Sequence, residues 1–168
     1  SEDVSDFLQQ AGNHFAGLEL AAERLWKDAK LDDDDLVSGL IRWLGDQHKI
    51  RVEIVPAGAG ARRRYDPAKR TIWISELLPP RSRTFQLAHQ LALIEQRDQL
   101  LSLTEDKFHD EETRRLARVA LANYFAGALL LPYPEFYREV TATRHDVELL
   151  AHLFESSYET VAHRMCNL

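Results

Sequence analysis

Nine basic side chains fall between residues 46 and 83, against four acids: Lys49, Arg51, Arg62, Arg63, Arg64, Lys69, Arg70, Arg81 and Arg83. A guanidinium offers paired N–H donors that match a phosphate or a carboxylate. On a chain of net charge −6, such a region fits a small polyanion better than a nucleic-acid duplex. The plainer alternative is a solvated basic surface. Position sorts these bases. Arg62 and Arg64 share one face of a strand, with Arg63 and Tyr65 on the other. Lys69 and Arg70 lie at a hairpin turn. Arg81 and Arg83 open a helix, where unpaired backbone N–H groups also favour an anion.

The elements that must hold these residues follow from periodicity. Phe7, Leu8, Ala11, Phe15, Leu18, Ala22, Leu25 and Trp26 recur at helical steps and predict a helix over residues 4–29, with Gly12 and Gly17 permitting a kink. Asp32 to Asp35 open a second helix that ends near His48, and their charge suits the helix dipole better than a metal. Ile50, Val52 and Ile54 then alternate as a strand. Arg62–Tyr65 and Thr71–Ile74 flank a five-residue hairpin connection, Asp66 to Arg70. Pro79 and Pro80 start a helix through Phe85, Ala88, Leu91 and Ala92 to about Leu103. Another helix runs from Asp110 through Leu121 and Phe125 to Leu129. Shorter helices are expected over residues 135–140, 146–154 and from 157 onward. The layout is α+β: mostly helical, with a small three-stranded antiparallel sheet packed on helices.

Composition sets bounds on function. The chain has 168 residues, 45% hydrophobic and 29% charged, which is ordinary for one folded domain and too apolar for disorder. Residues 1–35 carry ten acids against three bases, so the amino-terminal helix reads as acidic, and Glu19→Gln on it is expected to do little. A single cysteine, Cys166, excludes an internal disulfide and a cluster held by this chain alone. It reads as a small buried side chain. His109, His145, His152 and His163 show no metal spacing. No apolar run spans a bilayer and no signal peptide opens the chain, so a cytoplasmic protein without membrane contact is expected. Ser1 at the start, and a helical pattern cut at Leu168, predict a piece of a longer chain.

Two segments carry a resemblance. Arg81-Ser82-Arg83-Thr84-Phe85-Gln86-Leu87-Ala88-His89-Gln90-Leu91-Ala92-Leu93-Ile94-Glu95 resembles the active helix of the IrrE/ImmA-type zinc peptidase domain. That helix has an arginine-rich lead-in and then Phe-x-Leu-Ala-His-Glu-x-x-His. Ala122-Asn123-Tyr124-Phe125-Ala126-Gly127-Ala128-Leu129-Leu130-Leu131-Pro132 resembles the family's second motif helix. With the preceding hairpin, the likeness covers residues 50–135. Residues 1–49 then read as added amino-terminal helices and 136–168 as added carboxy-terminal ones, in one unit.

The departures decide the chemistry. Two imidazoles four residues apart share a helix face and bind zinc, while the Glu activates water. Here His89 keeps the first ligand position. Gln90 replaces the base and Leu93 the second imidazole. Val119 to Leu121, where the family has its third ligand, hold no carboxylate. Glu95 lies six residues from His89 and on the far side of the helix. The resemblance therefore implies a degenerate peptidase-like core with no metal and no catalytic residue.

Tyr-Asp-Pro, the stretch Leu-Pro-Pro-Arg-Ser-Arg-Thr-Phe-Gln-Leu-Ala-His-Gln-Leu-Ala-Leu, and the Asn13-to-Leu25 helix resemble the short-chain fatty-acyl transcriptional regulators of actinobacteria. That resemblance implies a domain that binds coenzyme A or a short-chain acyl-CoA and controls propionate (methylcitrate-cycle) genes. It implies a homo-oligomer, DNA contact through a helix-turn-helix outside this chain, and an iron–sulfur cluster in a further cysteine-containing segment. Arg62, Arg64, Lys69, Arg70, Arg81 and Arg83 would then serve the phosphates. His89 would face a thioester or pantetheine amide, or else be a core histidine, and Tyr124 would lie near the pocket, or else be core. An active zinc peptidase and a ligand-free interaction scaffold are the rival readings.

Overall fold

Helix α1 (Glu2–Gln10) ends where Gly12 and Asn13 take left-handed conformations, at φ 66° and 54°. Gly12 tolerates this freely, and Asn better than most residues. The single helix expected over residues 4–29 is therefore two, and α2 (Ala16–Asp28) starts after the turn. Helix α3 (Leu36–His48) is capped by Asp35, whose carboxylate accepts from Ser38 N at 3.2 Å. The remaining elements are β1 (Arg51–Val55), β2 (Arg63–Asp66), β3 (Thr71–Ser75), α4 (Pro80–Glu95), α5 (Arg97–Thr104) and α6 (Glu111–Leu130). This computed structural model describes residues 2–56, 62–131 and 164. The helices expected over residues 135–140, 146–154 and from 157 onward lie outside them, as do Cys166, His145, His152 and His163. Among the described residues, no helix is long and apolar enough to cross a membrane.

The sheet corrects one expectation. Its order is β1-β3-β2, with β2 antiparallel to β3 and β1 parallel to it, so the sheet is mixed rather than antiparallel. Parallel neighbours need a long connection, and the stretch from Pro56 to Arg70 supplies it by running through β2. The apolar alternation of β1 is the same in either direction, so it carries no sign of this. At the hairpin Asp66 belongs to β2, and its carboxylate accepts from Ala68 N and Lys69 N at 2.9 and 3.2 Å.

One apolar cluster joins α2, α3, β3, α4, α5 and α6. The amino-terminal helices thus share the core of the motif helices. The helix expected to run to Leu103 breaks at Gln96, with φ −103° and ψ 17°, without glycine or proline. The break lets α4 and α5 each pack on α6.

Glu19 is the second correction. It is no solvated acid: Arg164, 1% exposed, pairs with both of its carboxylate oxygens, the Nη2–Oε2 distance being 2.8 Å. Arg164 Nε also donates to the Leu131 carbonyl at 2.8 Å. The Tyr124 hydroxyl donates to Glu19 Oε1 at 2.6 Å and accepts from Phe15 N at 3.2 Å. Removing one partner strands a buried charge, which costs about 3–5 kcal/mol. Glu19→Gln is therefore expected to lower the urea midpoint sharply, and the double change Glu19→Leu with Arg164→Met to recover most of the loss. An unchanged midpoint in Glu19→Gln would show that the pair is solvated.

Candidate functional site

The site grows from the packing of α4 on α6. His89 lies in the most buried stretch of α4, between Leu87 and Ala92, and is itself 6% exposed. A buried imidazole needs a hydrogen-bond partner. Asn123 on α6 provides it: His89 Nδ1 lies 2.7 Å from Asn123 Oδ1, while Asn123 itself remains exposed. Phe85 and Leu93, one turn before and after His89, are half-buried against the core.

Strand β2 adds a residue absent from the expected set. Register places Arg63 opposite Ile74, on the inner face of the sheet that packs on α4. Arg63 Nη1 donates to the Gln86 carbonyl at 3.4 Å. Burial, and secondarily the Arg63 charge, push the His89 pKa down to about 4, against the raising effect of Asn123. Burial also holds Arg63 below its ordinary value. His89 is thus neutral at pH 7, beside one half-buried cation. Strand alternation already set Arg63 apart from Arg62 and Arg64. What faces that side is a tertiary fact.

The expected basic residues do not converge on His89. Arg64 lies on the outer sheet face, its guanidinium carbon 4.4 Å from the centroid of the Trp73 ring, and Lys69 Nζ lies 6.0 Å from the same centroid. Arg62 is exposed beside β2. Arg70, at φ 48°, donates to the His48 carbonyl at 2.9 Å. Arg83 holds the Leu78 and Glu76 carbonyls, each at 2.9 Å, and so braces the loop into α4. Arg81 is half-buried in the first turn of α4. Tyr124 points to α2, edge-on to Phe15 at 5.2 Å, with its hydroxyl on Glu19. Neighbouring positions on α6 thus serve different partners, Asn123 towards α4 and Tyr124 towards α2.

A catalytic zinc does not fit these residues. Gln90 is buried but takes up no proton, and Leu93 has no lone pair. Glu95 turns to α3, where its Oε2 accepts from Trp43 Nε1 at 2.7 Å and meets His48 Nε2 at 2.7 Å. Among the described residues, no group of three or more His, Cys, Asp or Glu could hold a metal ion.

The lowered His89 pKa sets a pH dependence. Below about 6.5 the unfolded chain takes up a proton that the folded chain refuses, so stability is full above that pH and falls as pH drops towards 4. The loss by pH 4 is on the order of 3 kcal/mol. Urea titrations at pH 7 and pH 4.5 should show this loss, and His89→Gln should remove its share. NMR of the imidazole should find no protonation at pH 5.5. A normal titration near 6.5 would contradict the buried placement.

Comparison with known proteins accords with this geometry. The chain is 39% identical to the HTH-type transcriptional regulator RamB of Mycobacterium tuberculosis over 169 residues, covering 99% of this chain and 36% of that protein. It is 39% identical to the HTH-type transcriptional regulator PrpR of the same organism over 172 residues, covering 99% and 35%. It is 37% identical to a propionyl-CoA carboxylase regulator of Cereibacter sphaeroides over 169 residues, again covering 99% and 35%. The chain therefore spans about a third of the length of these curated relatives. A solved Mycobacterium tuberculosis transcriptional regulator superposes with a TM-score of 0.91 at 39% identity, over 98% of this chain and 50% of that one. The profile of the IrrE N-terminal-like domain matches residues 46–165, which takes in the sheet and both motif helices, and the chain belongs to that family.

Proposed function

We propose that this chain is the ligand-sensing core of a bacterial transcription regulator of short-chain fatty acid and propionate (methylcitrate-cycle) metabolism. Its effector is coenzyme A or a short-chain acyl-CoA, and it catalyses no hydrolysis. One observation carries the reading: the motif helices of a peptidase-named family pack as a pair, while Gln90 and Leu93 stand where the base and the second imidazole belong. A neutral His89 bonded to Asn123 can hydrogen-bond a ligand but cannot alone hold zinc. The names of the relatives support a regulator, and one of them is a propionyl-CoA carboxylase regulator.

The surface offers matching chemistry. Trp73, with Arg64 and Lys69 over its ring, combines a flat aromatic with cations, as adenine and its phosphates require. Arg62 adds an exposed cation on the same strand run. Phe85 and Leu93 flank His89 with apolar surface suited to pantetheine and a short acyl chain. Arg81 and Arg83 contribute positive potential near the start of α4, and Arg70 at the hairpin. In the same reading the regulator is a cytoplasmic homo-oligomer that meets DNA through a helix-turn-helix outside this chain. An iron–sulfur cluster would belong to a cysteine-containing segment outside it, because Cys166 cannot hold one alone.

Purified protein is expected to carry no stoichiometric zinc and to bind coenzyme A in a calorimeter. Affinity should fall as salt rises, since exposed charges are screened over about 8 Å at physiological strength. Arg62→Ala or Arg64→Ala should cost about 1.5–3 kcal/mol, roughly ten- to a hundredfold. About one zinc per chain, lost on His89→Ala, would favour the peptidase instead. Coenzyme A held equally well with Arg62, Arg64 and Lys69 all replaced would leave this cluster as solvated surface.

A further inference from the structure

We infer that Arg63 receives an oxyanion of the ligand, a phosphate or a carboxylate, beside the His89 imidazole. That this ligand is coenzyme A or an acyl-CoA rests on the function proposed above. The inference starts from how the other arginines are used. Arg114 and Arg118 pair with Glu111, Arg115 with Glu112, Arg51 with Glu53 and Arg164 with Glu19. Arg70 and Arg83 spend their donors on loop and helix-end carbonyls.

Arg63 differs. It is half-buried, faces inward, and makes one long bond to the Gln86 carbonyl; among the described residues it has no ion pair. A guanidinium has five N–H donors. Burying such a charge without a counter-charge is costly, and an arriving oxyanion would relieve that cost. Apolar or neutral ligand atoms would not.

The neighbours suit an anion on Arg63. His89 is nearly buried, and among the described residues no hydrogen bond reaches its Nε2. Its Nδ1 is held by Asn123, so the ring is fixed in orientation while one nitrogen remains to meet the ligand. As placed, Nδ1–H donates to Asn123 Oδ1 and Nε2 is an acceptor, so it would meet the protonated oxygen of a phosphate or carboxyl group; turning the Asn123 amide would make Nε2 a donor to the oxyanion itself. Because His89 is neutral, Arg63 carries the local positive charge alone. Exposed Asn123 places this corner at the solvent boundary, where a ligand can arrive. Arg63 thus complements the outer Arg64 and Lys69 cluster, since strand alternation sends the two arginines to opposite faces of the sheet.

The test uses two small probes, inorganic phosphate and succinate, added to the intact chain while the His89 ring resonances are followed by NMR. The assignment comes from His89→Gln. At least one probe is expected to shift those resonances saturably. The shift should vanish in Arg63→Gln and persist, weaker, in Arg63→Lys, with circular dichroism confirming that both variants fold. Which probe saturates tells a phosphate from a carboxylate. No saturable shift with either probe, or one that persists in Arg63→Gln, would overturn the inference. Calorimetry with coenzyme A on wild type and Arg63→Gln keeps the two readings apart. A tenfold or greater loss in the variant joins Arg63 to the coenzyme. Probe binding without coenzyme A binding would defeat the acyl-CoA reading and leave Arg63 as an anion site.

Discussion

The seam between α4 and α6 is the constraint on which the described fold depends. Both helices bring small buried residues to the core, Ala88 and Ala92 from one, Ala117, Ala122, Ala126 and Ala128 from the other. Small side chains let helix axes approach closely, and close approach takes the inner edge of a polar group out of water. His89 is such a group. An unsatisfied buried donor or acceptor costs about 1–3 kcal/mol, so the seam requires Asn123 opposite His89. The same packing lowers the affinity of His89 for protons. Helices α1, α2 and α5 also rest on α6, and the sheet rests on α4, so the seam orients the described elements.

Charge in this protein divides by task more than by position in the chain. The basic run from Lys49 to Arg83 reads as one feature in the sequence, yet its members go to different places. Arg70 and Arg83 bind carbonyls at the ends of local elements. Arg64 and Lys69 lie over Trp73 on the outer sheet face. Arg63 turns inward. Long side chains with several donors are suited both to bracing loops and to meeting ligands, so counting them overstates a binding surface.

Relation to the IrrE N-terminal-like family is consistent with both what is kept and what is changed. The motif helices still pack as a pair, because their apolar and small residues are in place. The two substitutions on α4, Gln90 and Leu93, need no change in backbone. A helix holds its course whatever side chains it carries, so metal-site chemistry can be lost while the scaffold stays. The neutral histidine that remains is a hydrogen-bonding group in a mostly apolar seam.

The sequence by itself located the helical segments of the described residues, the hairpin and the motif pair, and it set Gln90 and Leu93 at their places on the motif helix, because those rest on local periodicity and on residue identity at known offsets. It also separated Arg63 from Arg64, since a strand alternates its faces. Tertiary structure decided the rest. The direction of β1 is not encoded in an alternating pattern, which reads the same in both senses. The break at Gln96 carries no proline or glycine and follows from how α4 and α5 both meet α6. Glu19 looked like one acid among many on a charged helix; Arg164, far along the chain, made it part of a buried ion pair. Tyr124 and Asn123 are neighbours in sequence, but a helix turns about 100° per residue. That turn gave one of them to α2 and the other to His89, and only the packing of three helices fixed which.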